Sequence, residues 1–155
     1  MEALNLRKTP PRSPYEELDG LMLMPRTIDK LRAQLPGGDP GEYYINGPIK
    51  GISGYLLERL GVTEEQLRQA VRDAQSEADV AAWLRERTDA SQYPAINATL
   101  RRIKPKHAEN EAWLRREYAD TLTDHPELEF IVDILEADDR RLYPNAGPQL
   151  LQGAR

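Results

Sequence analysis

Proline and glycine set the length of every element that this chain can form. Pro25, Pro94 and Pro126 sit where a first helical turn tolerates a missing N–H, and Pro36-Gly37-Gly38, Gly61, Pro105 and Pro144 close the segments behind them. Hydrophobic spacing agrees with those limits. Ile28, Leu31 and Leu35 recur at i, i+3 and i+7 within 25–35, and 53–60 is a compact apolar helix stopped by Gly61. Thr63 and Gln66 form a capping box ahead of the stripe Leu67, Ala70, Val71 and Ala74. Ser76 caps a second helix whose Val80, Trp83, Leu84 and Arg87 share a face, so 63–88 reads as an αα-hairpin. Helices over 94–103, 108–122 and 126–142 follow. Ser13 as N-cap, Pro14 behind it and Glu17 closing a capping box predict one more short helix, stopped at Gly20.

The expected fold is therefore mainly all-α, a compact bundle of about seven or eight short helices. TPPRSP makes residues 1–14 an extended arm, 15–144 one helical domain and 145–155 a loose tail. The loop GDPGEYYINGPIKG holds at most a short strand near 42–46.

Composition bounds the chemistry. A chain of 155 residues can bury roughly 68–70% of its unfolded surface, enough for a core without metals or disulfides. The absence of cysteine excludes disulfide scaffolds, zinc ribbons, iron–sulfur clusters and thiol nucleophiles, and two histidines leave little for a His-rich metal site. No cofactor or metal is expected. No apolar run approaches the roughly 20 residues of a membrane span, and the N-terminus lacks the apolar core of a signal peptide. The expected location is the cytoplasm, with no membrane partner.

The net charge of −5 is uneven: residues 1–62 are neutral, 63–95 carry −3, 96–118 carry +3 and 119–155 carry −5. A basic segment followed by an acidic one is explained more simply by pairing within the fold than by a phosphate-binding stripe, so nucleic acid is disfavoured as a partner.

The most informative stretch is MPRTIDKLR, residues 24–32. With Ile28 at zero on a helical wheel, Leu31 and Leu35 fall at about 300° and 340°, while Asp29, Ala33, Arg26 and Lys30 fall at about 100°, 140°, 160° and 200°. One face is apolar; the other presents two cations, a carboxylate and a small residue that leaves room between them. Arg26 and Thr27 lie in the first turn, where free N–H groups favour an anion. Covered by another element, this face is a carboxylate or phosphate site; uncovered, it is a solvated surface with a weak ion pair. In the following loop, glycines let backbone approach a ligand, and Tyr43, Tyr44 and Asn46 offer hydrogen-bonding groups; the alternative is a Gly/Pro loop anchored by half-buried tyrosines. His107 and His125 each precede or enter a helix and serve either as a base or as ordinary surface residues. Asp138-Asp139-Arg140-Arg141 reads as a solvated helix end, and Asp133 with Glu136 as an ordinary acidic pair.

TPPRSP, MPRTIDKLRA, GEYYINGP, the hairpin GVTEEQLRQAV…ADVAAWLRE and the late EADDRR together resemble a family of small bacterial proteins catalogued as domain of unknown function 5069. The resemblance spans nearly the whole chain, and its most specific piece is Pro25-Arg26-x-Ile28-Asp29-Lys30-x-Arg32. The family pattern places a cysteine before the loop proline, where this chain has Gly47. The family name implies no activity. The resemblance does imply that the polar face of the 25–35 helix belongs to a family signature.

Two functions follow as expectations. In the first, a small anionic or carbonyl-bearing molecule binds between the Arg26–Lys30 helix and the Tyr43–Pro48 loop. Arg26 and Lys30 neutralise the anion, Arg32, Tyr43 and Asn46 add contacts, Asp29 orients Arg26 or acts as a base, and Tyr44 donates a hydrogen bond. Whether this site is catalytic stays open. In the second, a non-catalytic interaction module, the chain docks a protein partner or a second copy of itself through the 63–88 hairpin or the basic segment 101–116.

Overall fold

The computed structural model describes residues 1–146. A two-stranded hairpin, β1 (Glu17–Leu18) and β2 (Leu21–Met22), leads into α1 (Met24–Arg32). A long loop then connects to α2 (Ile52–Leu60), α3 (Glu64–Asp73), α4 (Glu77–Arg87), α5 (Tyr93–Arg101), α6 (Glu111–Glu117), α7 (Ala119–Asp124) and α8 (Ile131–Leu142). Short 3-10 turns cover Ala90–Gln92 and Pro105–His107. The protein is mainly helical, as the spacing of its breaks predicts.

Helix α1 is the hub of the molecule. Every residue from Met24 to Leu31 is buried, although its sequence is apolar on one side only. Ile28 and Leu31 enter a core shared with Leu56 of α2, Leu67 and Val71 of α3, Val80 and Leu84 of α4, Leu100 of α5 and Val132 of α8. The polar side is covered by the arm, by the loop after α1 and by α8. Leu23, just before the helix, has φ 68°, a left-handed backbone that costs a side-chain-bearing residue on the order of 1–2 kcal/mol. Its side chain is fully buried, which holds it there.

Local signals decide several boundaries as expected. Thr63 Oγ1 accepts the Gln66 N–H at 3.1 Å and Gln66 Oε1 accepts the Thr63 N–H at 2.9 Å, the predicted capping box. Gly61 closes α2 with φ 69°. The α3–α4 pair buries Leu67, Ala70, Val71, Val80 and Leu84, so the apolar stripe of the hairpin belongs to the chain's own core.

Three expectations are corrected. Ser13–Gly20 is not a helix: Asp19 and Gly20 have φ 55° and 82°, and as a two-residue turn with both φ positive they join β1 to β2. Asn97 clamps that turn, accepting the Met22 N–H at 3.0 Å and donating to the Gly20 carbonyl at 2.8 Å. The single helix over 108–122 is two, because Asn110 caps α6 only at Glu111 and the chain bends at Tyr118 before α7. Pro126 does not open the last helix, which begins at Ile131. Near 42–46 only an isolated bridge between Asn46 and Lys50 forms. Residues 147–155 of the expected tail lie outside the described residues.

The arm packs against the body. Asn5 bridges Asp39, and Pro10, Pro11, Ser13 and Pro14 are buried.

Candidate functional site

Lys30 lies on the covered side of α1, 5% exposed. Its Nζ donates to the Tyr44 carbonyl at 3.0 Å and reaches Ser53 Oγ at 3.3 Å. Among the described residues no carboxylate pairs with it. Burial pushes its ammonium down to about 7 and the neighbouring Arg26 cation adds to the shift, against weaker opposition from Asp139 and Glu64. A lysine that is half neutral near pH 7 is a hydrogen-bond acceptor, a base and a nucleophile, none of which an ordinary surface lysine is.

Arg26, one turn earlier, is 1% exposed. It donates to Asp139 Oδ2 at 2.6 Å and to the Arg12 carbonyl at 3.1 Å, and its guanidinium carbon lies 5.6 Å from the centre of the Tyr43 ring. Burial opposes its charge, and Asp139 more than compensates, so Arg26 stays cationic. Tyr43 donates to the other Asp139 oxygen at 2.7 Å. The Nε of Arg26 is buried and has no hydrogen-bond partner among the described residues. Burial also pushes the Tyr43, Tyr44 and Tyr118 phenols up, so all three are neutral donors at physiological pH.

These groups surround a cavity of about 60 Å³ walled by Arg26, Lys30, Tyr43 and Tyr44 together with Ile49, Ile52, Trp113, Leu114, Tyr118 and Ile131. Its buried floor comes from α1, α2 and α8, and partly exposed Tyr55 and Trp113 with exposed Glu42 stand on the side toward solvent. The ring of Tyr44 reaches this wall because residue 47 is glycine: a Cβ there would stand 2.6 Å from its ring carbons.

Of the residues singled out in the sequence, Arg26, Lys30, Tyr43 and Tyr44 are brought together. Asp29 is not with them. Its carboxylate accepts the Arg12 backbone N–H at 2.8 Å, Arg12 Nε at 3.0 Å and the Arg12 Nη2 group at 2.9 Å, so it orients Arg12 rather than Arg26 and does not line the cavity. Arg32 donates to the Glu2 carbonyl at 2.8 Å, and exposed Asn46 donates to Glu64 at 3.0 Å; both face away from Lys30's cavity. The first turn of α1 is filled by the protein itself, with both the Thr27 N–H and its hydroxyl on the Leu23 carbonyl.

His107 accepts the Lys104 N–H at 3.0 Å and His125 sits 3.3 Å from Glu127; both are exposed and outside this cavity. Among the described residues no group of three or more His, Cys, Asp or Glu is placed to hold a metal ion. No helix among them is long and apolar enough to cross a membrane.

Sequence reasoning misses Asp139, Tyr118, Trp113 and Ser53. Asp139 is 2% exposed rather than a solvated helix end. A wheel of α8 contains the signal: with Ile131 at zero, Asp138 falls at about 340° and Asp139 at about 80°, on the arc that also holds Ile134, Leu135 and Val132. Ser53, Trp113 and Tyr118 have no such signal, because they converge from α2, α6 and the start of α7.

The fold and the cavity define a small, mainly helical protein whose central helix carries a buried lysine with no carboxylate partner among the described residues. The family model described as Domain of unknown function (DUF5069) matches residues 8–141, and the chain belongs to that family. No curated protein matches it.

Proposed function

We propose that the cavity beside Lys30 binds a small anionic or carbonyl-bearing molecule. The observation that carries this reading is Lys30 itself: a lysine amine held inside the protein with no carboxylate partner among the described residues, against a cavity. A buried amine of this kind costs stability, and structures tolerate such a cost most often where a ligand uses the group. Arg26 supplies fixed positive charge beside it, Tyr43 and Tyr44 contribute neutral phenols, and the apolar walls strengthen every polar contact inside. Asp29 has no part in this site, since its oxygens belong to Arg12.

The test is a thermal-shift titration of the full chain with acetate, lactate, glyoxylate and pyruvate. A ligand that binds only the folded state raises the melting temperature with its concentration. Wild type is expected to respond to at least one of these ions, and Lys30→Met is expected not to respond. No response in wild type, or an equal response in Lys30→Met, overturns the reading. Arg26→Ala is a poor probe, because it leaves Asp139 buried without its cation and the fold suffers before binding is measured.

A further inference from the structure

We infer that Lys30 is a nucleophile that forms an imine with a small 2-oxo acid, whose carboxylate is held at the Arg26 guanidinium. This rests on the cavity being a ligand site and names its substrate class.

Three features of the cavity point the same way. Lys30 offers an amine restrained by one carbonyl and one hydroxyl, with no carboxylate among the described residues to hold it as a permanent cation. Arg26, which also lines the cavity, keeps a buried Nε–H with no acceptor among the described residues. One buried carboxylate, Asp139, touches Arg26, so a second anion brings two basic groups and two carboxylates into balance. A molecule with a carboxylate and a neighbouring carbonyl answers both demands at once. The carboxylate accepts from Arg26 while the carbonyl carbon meets Lys30, one helical turn further along α1. The volume of about 60 Å³ gives room for roughly four to six water-sized groups, the size of glyoxylate or pyruvate rather than of a sugar phosphate or a nucleotide.

The chemistry closes without an external oxidant or reductant. The unprotonated Nζ attacks the carbonyl carbon; the C–N bond forms as the C=O π pair moves to oxygen, and the proton that the attacking nitrogen sheds passes to that oxygen to give a carbinolamine. Loss of that hydroxyl with a proton, as water, leaves the C=N bond of the imine. The lowered basicity of Lys30 supports the first step, since a neutral amine is the attacking species. Asp29 and Asp139 are engaged by arginines and do not line the cavity, and Glu42, the carboxylate that does, stands at its exposed side, so the inference ends at the imine.

The experiment is reductive trapping. The full chain is incubated with pyruvate or glyoxylate and sodium cyanoborohydride, and the labelled residue is found by peptide mass spectrometry. One reduced adduct on Lys30 is expected, slowed by lactate, which has the carboxylate but no carbonyl. Label spread over Lys8, Lys50, Lys104 and Lys106 without preference for Lys30, or no label, overturns the inference. Acetaldehyde, with the carbonyl but no carboxylate, should label Lys30 at least about tenfold more slowly, the worth of one charge-assisted hydrogen bond; equal rates overturn the role of Arg26. Pyruvate and lactate that raise the melting temperature in wild type but not in Lys30→Met, with no adduct, remove the imine and leave the binding reading standing. If none of acetate, lactate, glyoxylate and pyruvate shifts wild type, both fall.

Discussion

Burial of the Lys30 amine ties the stability of the protein to pH. The amine titrates near 7 in the folded chain, against 10.5 as the ordinary value. Between those values the unfolded chain binds more protons than the folded one, so stability rises with pH across that window. Below about pH 7 both states are protonated and the burial penalty is present in full. Lys30→Met removes the penalty. The variant should therefore be more stable than wild type at pH 6–7, by on the order of 5 kcal/mol at most, and the gap should close as pH approaches 10. Chemical denaturation of both proteins at a series of pH values measures this, and a gap independent of pH would mean that Lys30 is not buried as a cation.

At the scale of elements, α2 and the loop before it are shaped for each other. Gly54 lies inside α2, where alanine would ordinarily gain up to about 1 kcal/mol in helix propensity. Here an added Cβ would stand 2.5 Å from Asn46 Oδ1 and 2.8 Å from Lys50 Cγ, with the Ile45 carbonyl at 3.2 Å. Gly54→Ala is thus expected to destabilise by about 1–3 kcal/mol and to displace the loop that places Tyr44 over Lys30. A urea midpoint equal to or above that of wild type would contradict the close approach. The β1–β2 turn teaches a related lesson. Asp19-Gly20 is the dipeptide that a two-residue hairpin turn asks for, and it lies between Leu18 and Leu21; the capping-box pattern over Ser13–Glu17 competes with it and loses. Ser13 is occupied elsewhere: its hydroxyl donates to buried Glu136 at 2.5 Å, a carboxyl that burial pushes up.

At the scale of the whole molecule, the acidic C-terminal helix pairs with the neutral N-terminal third rather than with the basic segment 96–118. Asp139 meets Arg26 and Tyr43, Glu136 meets Ser13, and Asp133 meets Tyr15. Across the expected basic–acidic divide, Lys104 reaches Glu129 at 3.7 Å. The reason lies in burial: α8 packs its first turns into the core, so the carboxylates near it must find partners among what α1 and the arm present. Arg12 then ties three parts together, bonding Asp29 of α1, Glu77 of α4 and the Pro25 carbonyl. Arg12→Ala leaves Asp29 buried and unpaired and is expected to cost about 2–4 kcal/mol, discounted for the partial exposure of Arg12. The melting temperature of the variant, with protease sensitivity of residues 1–14 as a second readout, checks this; an unchanged melting temperature would show that the arm contributes nothing to the body.

By itself the sequence determined the helical class, most helix limits, the hairpin of α3 and α4, and the polar face of α1 with Arg26 and Lys30 on it. These depend on local physics: proline and glycine backbone limits, capping side chains and a period of 3.6 residues. Only the tertiary structure decided what covers that face. The partner of Asp29 lies 17 residues away in the arm and the partner of Arg26 lies 113 residues away in α8. No local pattern encodes a distance of that kind, because which charges pair inside a protein is set by the packing that brings them out of water together.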